Sequence, residues 1–191
     1  MAAPTKHNLS NPNLKIAAGA TVCEDSELMG DITIGARTVI HPKARILAET
    51  GPIIIGEYNI IEELVTITNT SSTDENSGKV QIIGNNNMFE VGAIIESVRV
   101  GDNNIFESKA KVGSKVEIAN GCIIGAGCVL NMAEQISDNT VIYGGNCERR
   151  IQREKPPLQA LQIDFLTKIM PNYHYLIKPN IQPRTPTTIK K

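Results

Sequence analysis

Three histidines and four cysteines are the residues with which this chain could do chemistry. Histidine titrates near neutral pH and serves as general base or metal ligand. His7 sits in a polar N-terminal stretch and reads as solvated. His174 follows a segment of helical periodicity and reads as a surface residue. His41 comes directly after Ile40 and before Pro42, so a corner at a rigid turn is a simpler reading than a base. Nothing in the sequence is arranged around it as a second catalytic group. Cys23, Cys122, Cys128 and Cys147 form no C-x-x-C pair and show no zinc spacing with histidine. Cys122 and Cys128 hold the same slot in Gly121-Cys122-Ile123 and Gly127-Cys128-Val129 and read as small core residues. The glycines of 121–127 lack the Lys-Ser/Thr ending and following helix of a phosphate cradle. No catalytic, cofactor-binding or metal-ligating residue is therefore expected.

The elements that carry these residues follow from composition and spacing. At 191 residues and 20.7 kDa, the chain has room for one domain. Lys+Arg is 19 against Asp+Glu 20, a net charge of -1, which removes the electrostatic case for binding nucleic acid or a membrane surface. The 27 Ile and 11 Val outnumber 10 Leu. β-Branched side chains fit pleated strands and lose rotamer freedom in helices, so the composition opposes a helical bundle. Apolar runs are as short as Ile53-Ile54-Ile55, too short to span a bilayer. The N-terminus has no apolar stretch of the secretory type, so reduced thiols in the cytosol are expected.

A repeat of six organises the chain. Ile16, Val22, Leu28, Ile34, Ile40 and Ile46 are each six residues apart, as are Val100, Phe106, Val112, Ile118, Ile124, Leu130, Ile136 and Ile142. Ile55, Ile61, Ile67 and Ile83, Phe89, Ile95 continue the spacing between these blocks. The frame gains three residues around Thr50-Gly51-Pro52, gains ten over 69–79, and loses one between Ile95 and Val100. The large insertion is polar and small and reads as a mobile surface loop. One hexad cannot bury its own apolar side chain, but three closing a triangle can, with each coil stacked on the next. Three columns result, headed by Ile16, Val22 and Leu28, in nearly seven coils. At about 4.8 Å per stacked strand the prism is roughly 33 Å long. Asn59, Asn87 and Asn104 fall on one corner of consecutive coils. Their amides are expected to form a hydrogen-bonded ladder, at a position that tolerates turn conformations.

The [LIV]-G-x-x-x-x spacing resembles the hexapeptide-repeat proteins, whose fold is a left-handed parallel β-helix. Handedness comes from that resemblance alone, because the general rule for parallel crossovers favours right-handed coils. Gly30-Asp31-Ile32-Thr33-Ile34-Gly35, segments 38–45, 101–104, 107–110 and 139–144, and above all segment 164–174, are similar more narrowly to the β-helix subunits at the pointed end of dynactin. The hexads carry only the fold; the last segment narrows the match. The resemblance implies a non-enzymatic scaffold subunit without a cofactor. Its implied partners are a sister hexapeptide-repeat subunit, an actin-related protein and a zinc-containing subunit, with no nucleic acid and no membrane insertion. The implied work is dynein–dynactin transport along microtubules and cargo-adaptor targeting, in the cytoplasm and cytoskeleton and at the kinetochore. Unpaired backbone groups at coil ends, which invite another strand stack, give this physical sense. The competing reading is a homotrimeric hexapeptide-repeat acyltransferase with His41 as base. The zinc site of the γ-class carbonic anhydrases needs three histidines, two of them close together on one coil, and no such pair is present.

The expected organisation is an N-terminal tail (1–13), a β-helix (14–147) with its insertion loop (69–79), a linker (148–157), a helix (158–171) and a tail (172–191). Leu158, Leu161, Phe165, Leu166 and Ile169 recur at helical spacing. About three turns of amphipathic helix are marginal alone, so this one must pack on its own prism or on a partner. The final stretch is rich in Pro and Thr and reads as disordered. Within it Arg184-Thr185-Pro186 makes Thr185 a candidate for phosphorylation by a proline-directed kinase.

Overall fold

A side chain buried every sixth residue requires the backbone to turn after each short strand. The computed structural model, which describes residues 13–70, 78–154 and 156–180, shows how. Each hexad is a strand plus a bend, and three hexads make one coil of a triangular prism. Among the described residues the strands are numbered β1 to β21 in chain order and fall into three sheets. The first stacks β1 (Leu14–Ile16), β4 (Ile32–Ile34), β7 (Ile53–Ile55), β10 (Gln81–Ile83), β13 (Arg99–Val100), β16 (Val116–Ile118) and β19 (Glu134–Ile136). The second stacks β2 (Thr21–Val22), β5 (Val39–Ile40), β8 (Ile60–Ile61), β11 (Met88–Phe89), β14 (Ile105–Phe106), β17 (Ile123–Ile124), β20 (Thr140–Tyr143) and β21 (Glu148–Ile151). The third stacks β3 (Glu27–Met29), β6 (Arg45–Leu47), β9 (Thr66–Thr68), β12 (Ile94–Ile95), β15 (Lys111–Val112) and β18 (Val129–Leu130).

Every coil-to-coil pairing is parallel, and the registers are the three expected columns. Ile16, Ile34, Ile55, Ile83, Val100, Ile118 and Ile136 are successive partners down the first sheet. Val22, Ile40, Ile61, Phe89, Phe106, Ile124 and Ile142 follow one another down the second. Leu28, Ile46, Ile67, Ile95, Val112 and Leu130 do so down the third. All of them are buried in one continuous core. The Phe89 and Phe106 rings stack with centroids 4.8 Å apart, matching the coil spacing. The solenoid is the left-handed parallel β-helix that the resemblance implies.

The corners explain the small residues that follow the repeat positions. A Cβ on Gly35 would meet the Gly56 carbonyl oxygen at 2.4 Å, and one on Gly56 would meet that of Gly84 at 2.6 Å. Side chains there would push the coils apart. The left-handed conformation at this corner belongs to Gly19, Arg37, Tyr58, Asn86, Asn103, Gly121 and Asn139. It does not belong to Asn59, Asn87 or Asn104, which sit one position later, so turn tolerance is not why those three are asparagine.

The frame slips are clasped. The two insertions meet: the Thr50 hydroxyl and N–H both donate to the Asn69 carbonyl, at 2.9 and 3.0 Å. The Asn69 amide donates to the carbonyls of Pro52 (3.0 Å) and Lys79 (2.8 Å). Asn69 is buried, so it is the base of the insertion and no part of a mobile loop; residues 71–77 lie outside the described residues. At the single deletion, Ser97 turns inward. Its hydroxyl reaches the carbonyls of Arg99 and Val116, while the Gln81 side-chain amide donates to the Ser97 carbonyl at 2.8 Å.

The C-terminal segment returns to the start of the prism. Helix α1 (Ala160–Ile169) continues into a 3-10 turn, Met170–Asn172. Ile163 and Met170, with Leu166 and Ile169, pack on Cys23, just past β2, and on Val39 and Ile60 of the second sheet. An Arg37–Asp164 ion pair fixes the helix to a corner. Leu158, Leu161 and Phe165 are exposed, so the buried stripe is not the one read from the sequence. Apolar residues occur around most of this helix, and the groove over Val39 and Ile60 selects the stripe through Ile163.

Beyond the helix the chain caps the first coil. Ile177 N–H donates to the Val22 carbonyl (2.8 Å) and Glu24 N–H to that of Tyr175 (2.9 Å). Asn180 accepts from Ile16 N–H at 2.7 Å and donates to the Leu14 carbonyl at 2.6 Å. As far as Asn180, the segment expected to be a tail is a strap that occupies edges of β1 and β2.

Candidate interaction surfaces at the corners and ends

Three side-chain ladders run along the corners, and each follows from the repeat placing like residues above one another. In the first, the Asn59 side-chain oxygen accepts from Asn87 N–H (2.9 Å), Asn87 from Asn104 N–H (2.9 Å), and Asn104 from Cys122 N–H (2.7 Å). The ladder is present, but its rungs join side chain to backbone and do not join amide to amide. The second climbs Asn85, Asp102, Asn120 and Asp138, each accepting the N–H of the matching residue one coil earlier. The third is acidic. Glu62 accepts from Val91 N–H (3.0 Å), Glu90 from Ser108 N–H (2.9 Å) and Glu107 from Ala126 N–H (2.9 Å). All three satisfy bend N–H groups that a solenoid corner otherwise leaves unpaired.

His41 stands on the acidic corner and is not alone there. Its Nδ1 lies 2.9 Å from Glu63 Oε1. Sequence reading missed Glu63 because it is 22 residues away. One coil of 18 plus the insertion of three puts Glu62 in His41's slot, with Glu63 next to it. Burial pushes the Glu63 carboxyl up, but the hydrogen bond and positive charge of His41, with His174 nearby, outweigh it and hold the group below its ordinary value. Burial raises Glu62.

A carboxylate-oriented histidine is the geometry of a general base, so the other nitrogen decides what this one can do. His41 Nε2 is buried and has no hydrogen-bond partner among the described residues. No substrate can reach it in this conformation. Cys23, on the neighbouring coil, is fully buried. Burial, aided by the charges of Asp25 and Glu63, pushes its thiol up to about 12, so it stays protonated at neutral pH. Burial also raises Cys122, and raises Cys128 to about 11. Thiolate is the nucleophile, so none of these three is poised for attack. Among the described residues no group of three or more His, Cys, Asp or Glu could hold a metal ion. Three shallow hollows lie toward the last coils, around Arg99 and Glu117, Arg149 and Ile151, and Asp102 and Asp138. None contains His41. His7 and Thr185 lie outside the described residues.

The two ends of the prism differ. At the start, the strap 175–180 covers edges of β1 and β2. At the finish, β21 pairs antiparallel with β20 and closes the second sheet, with Arg150 over the Tyr143 ring at 6.0 Å. The last strands of the other two sheets, β19 and β18, have no further strand beside them among the described residues. Glu134 N–H points back to the Lys115 carbonyl, so by strand alternation Gln135 N–H faces the open end. No helix of the described residues is long and apolar enough to cross a membrane.

No protein-family model matches the chain. Among curated proteins, it is 53% identical to dynactin subunit 6 of Danio rerio over 184 residues, 93% of this chain and 94% of that one. It is 54% identical to dynactin subunit 6 of Nematostella vectensis, covering 86% of this chain and 92% of that one. With dynactin subunit 6 of Dictyostelium discoideum it shares 36% identity, over 84% of this chain and 86% of that one. Among solved structures, an Arabidopsis UDP-N-acetylglucosamine acyltransferase has TM-score 0.54 at 16% identity, over 72% of this chain and 64% of that one. The corresponding enzyme of Moraxella catarrhalis has TM-score 0.50 at 20% identity, over 73% and 70%. Identity that low speaks for the shared fold alone.

Proposed function

The chain belongs to the dynactin subunit 6 family, and from that premise we propose that it serves dynactin as a non-enzymatic scaffold of the pointed-end complex. Its partners in this reading are a sister hexapeptide-repeat subunit, an actin-related protein and a zinc-containing subunit. The complex would place it in the cytoplasm and on the cytoskeleton, kinetochores included, for dynein-driven transport and adaptor targeting. The observation that carries the reading is the asymmetry of the ends. One end is largely covered by the chain's own strap, while β18 and β19 at the other present strand edges beside the hollow at Arg149 and Ile151. Open edges pair with further strands, and a second triangular prism matches both at once. Thr185, outside the described residues, adds a regulated docking site when phosphorylated.

The acyltransferase reading draws on the Glu63–His41 pair and on the fold. Burial of His41 Nε2 weighs against it. Recovery of the tagged full chain from cells, with identification of everything bound, tests the choice. The three named classes of partner are expected. Recovery as a homotrimer that binds acetyl-CoA, without those partners, would overturn the scaffold.

A further inference from the structure

Cys128 and Cys147 occupy successive places in one inward column. Each coil closes its second corner with a hydrogen bond from an inward residue to a carbonyl three residues back. Ala93 donates to Glu90, Ala110 to Glu107, Cys128 to Gly125 (3.0 Å), and Cys147 to Gly144 (3.1 Å). Cys147 therefore continues above Cys128, although it belongs to the turn of the β20–β21 hairpin. The Cys128 thiol also reaches the Gly144 carbonyl, at 3.5 Å, so both cysteines converge on one oxygen. Cys147 is near enough to Cys128 to help burial raise the Cys128 thiol. Stacked coils stand about 4.8 Å apart, inside the Cα separation that a disulfide spans. Cys147 is half-buried, whereas Cys128 is enclosed.

We propose that Cys128 and Cys147 are a modification site, a reversible disulfide that staples the hairpin cap to the last complete coil. The oxidant is hydrogen peroxide. The Cys147 thiolate attacks a peroxide oxygen, the O–O bond breaks, and the products are a sulfenic acid and water. The Cys128 thiol gives up its proton, and the thiolate so formed attacks the Cys147 sulfur. The S–O bond breaks, and hydroxide leaves with the Cys128 proton as a second water. Two thiols lose two electrons to one peroxide. The raised Cys128 thiol makes the second step the slow one.

The full chain treated with hydrogen peroxide tests this. Cleavage after Glu134 separates Cys128 from Cys147, which otherwise share a tryptic fragment because no Lys or Arg lies between Lys115 and Arg149. The expected product is the two fragments joined through Cys128 and Cys147, lighter by two hydrogens and released by a thiol reductant. The melting temperature should rise by about 4 °C or more in the native chain and not in Cys147→Ser. Met132 is 81% exposed and serves as an oxidation control. Free thiols at a dose that oxidises Met132, Cys147 recovered as sulfinic acid, or Cys147 joined to Cys122 or to another chain would each overturn the proposal.

Discussion

At the scale of single residues, the prism is most sensitive where its columns are apolar. Ile124 is fully buried between Phe106 and Ile142. Ile124→Asp places a carboxylate there without a partner, at a cost of several kcal/mol. Insoluble or unfolded protein is the expected outcome; a melting temperature within about two degrees of the native chain would contradict the register. His41 was legible in the sequence as a corner residue, but its partner Glu63 was not, because the pairing depends on counting through an insertion. A carboxyl held below its ordinary value contributes stability above that value and loses it as pH falls through the folded value. Glu63 therefore stabilises the corner above about pH 4.5 and stops doing so on further acidification. Glu62, raised by burial, has the opposite sign. Removing His41 raises both carboxyls, so His41→Ala should flatten the acid limb of a melting-temperature profile and leave partner assembly intact. An unchanged limb would show that the pair is not linked to folding. Thr185→Ala should alter neither melting temperature nor assembly but should remove a phosphopeptide of dividing cells. Mapping that covers Thr185 and finds it unmodified throughout the cell cycle would contradict that proposal.

At the scale of elements, the strands of the three columns were legible because one period decides both their spacing and their burial, whereas β21 fell in the stretch expected to be a linker, since its residues are mostly charged and all exposed. The helix was legible in existence and not in phase. Its apolar residues lie on more than one face, and only the groove over Val39 and Ile60 selects among them. The strap was invisible, since 175–180 has no apolar period and its hold on the first coil is mostly backbone hydrogen bonding. Asn180 is its anchor. Asn180→Ala removes the two side-chain bonds to Ile16 and Leu14, for an expected loss of about 1–2 kcal/mol. Hydrogen exchange should then quicken at Ile16, with β16 and β17 unaffected. Unchanged protection at Ile16 would mean that the strap does not hold that edge.

At the scale of the molecule, charge near neutrality, one uninterrupted core and two unlike ends describe a rod that presents surfaces. The likeness to acyltransferases speaks for the fold alone. What the sequence could not offer is which end is covered, because that depends on a chain terminus returning across the whole prism. The direct measurement is the stoichiometry and affinity of the purified full chain mixed with a second hexapeptide-repeat subunit of dynactin, by native mass spectrometry and titration. A one-to-one complex is expected. Gln135→Pro, which deletes an edge N–H facing the open end, should weaken it at least tenfold with little change in melting temperature. A homotrimer that ignores the second subunit, or binding indifferent to Gln135→Pro, would contradict the claim that the open coil end is where this scaffold docks.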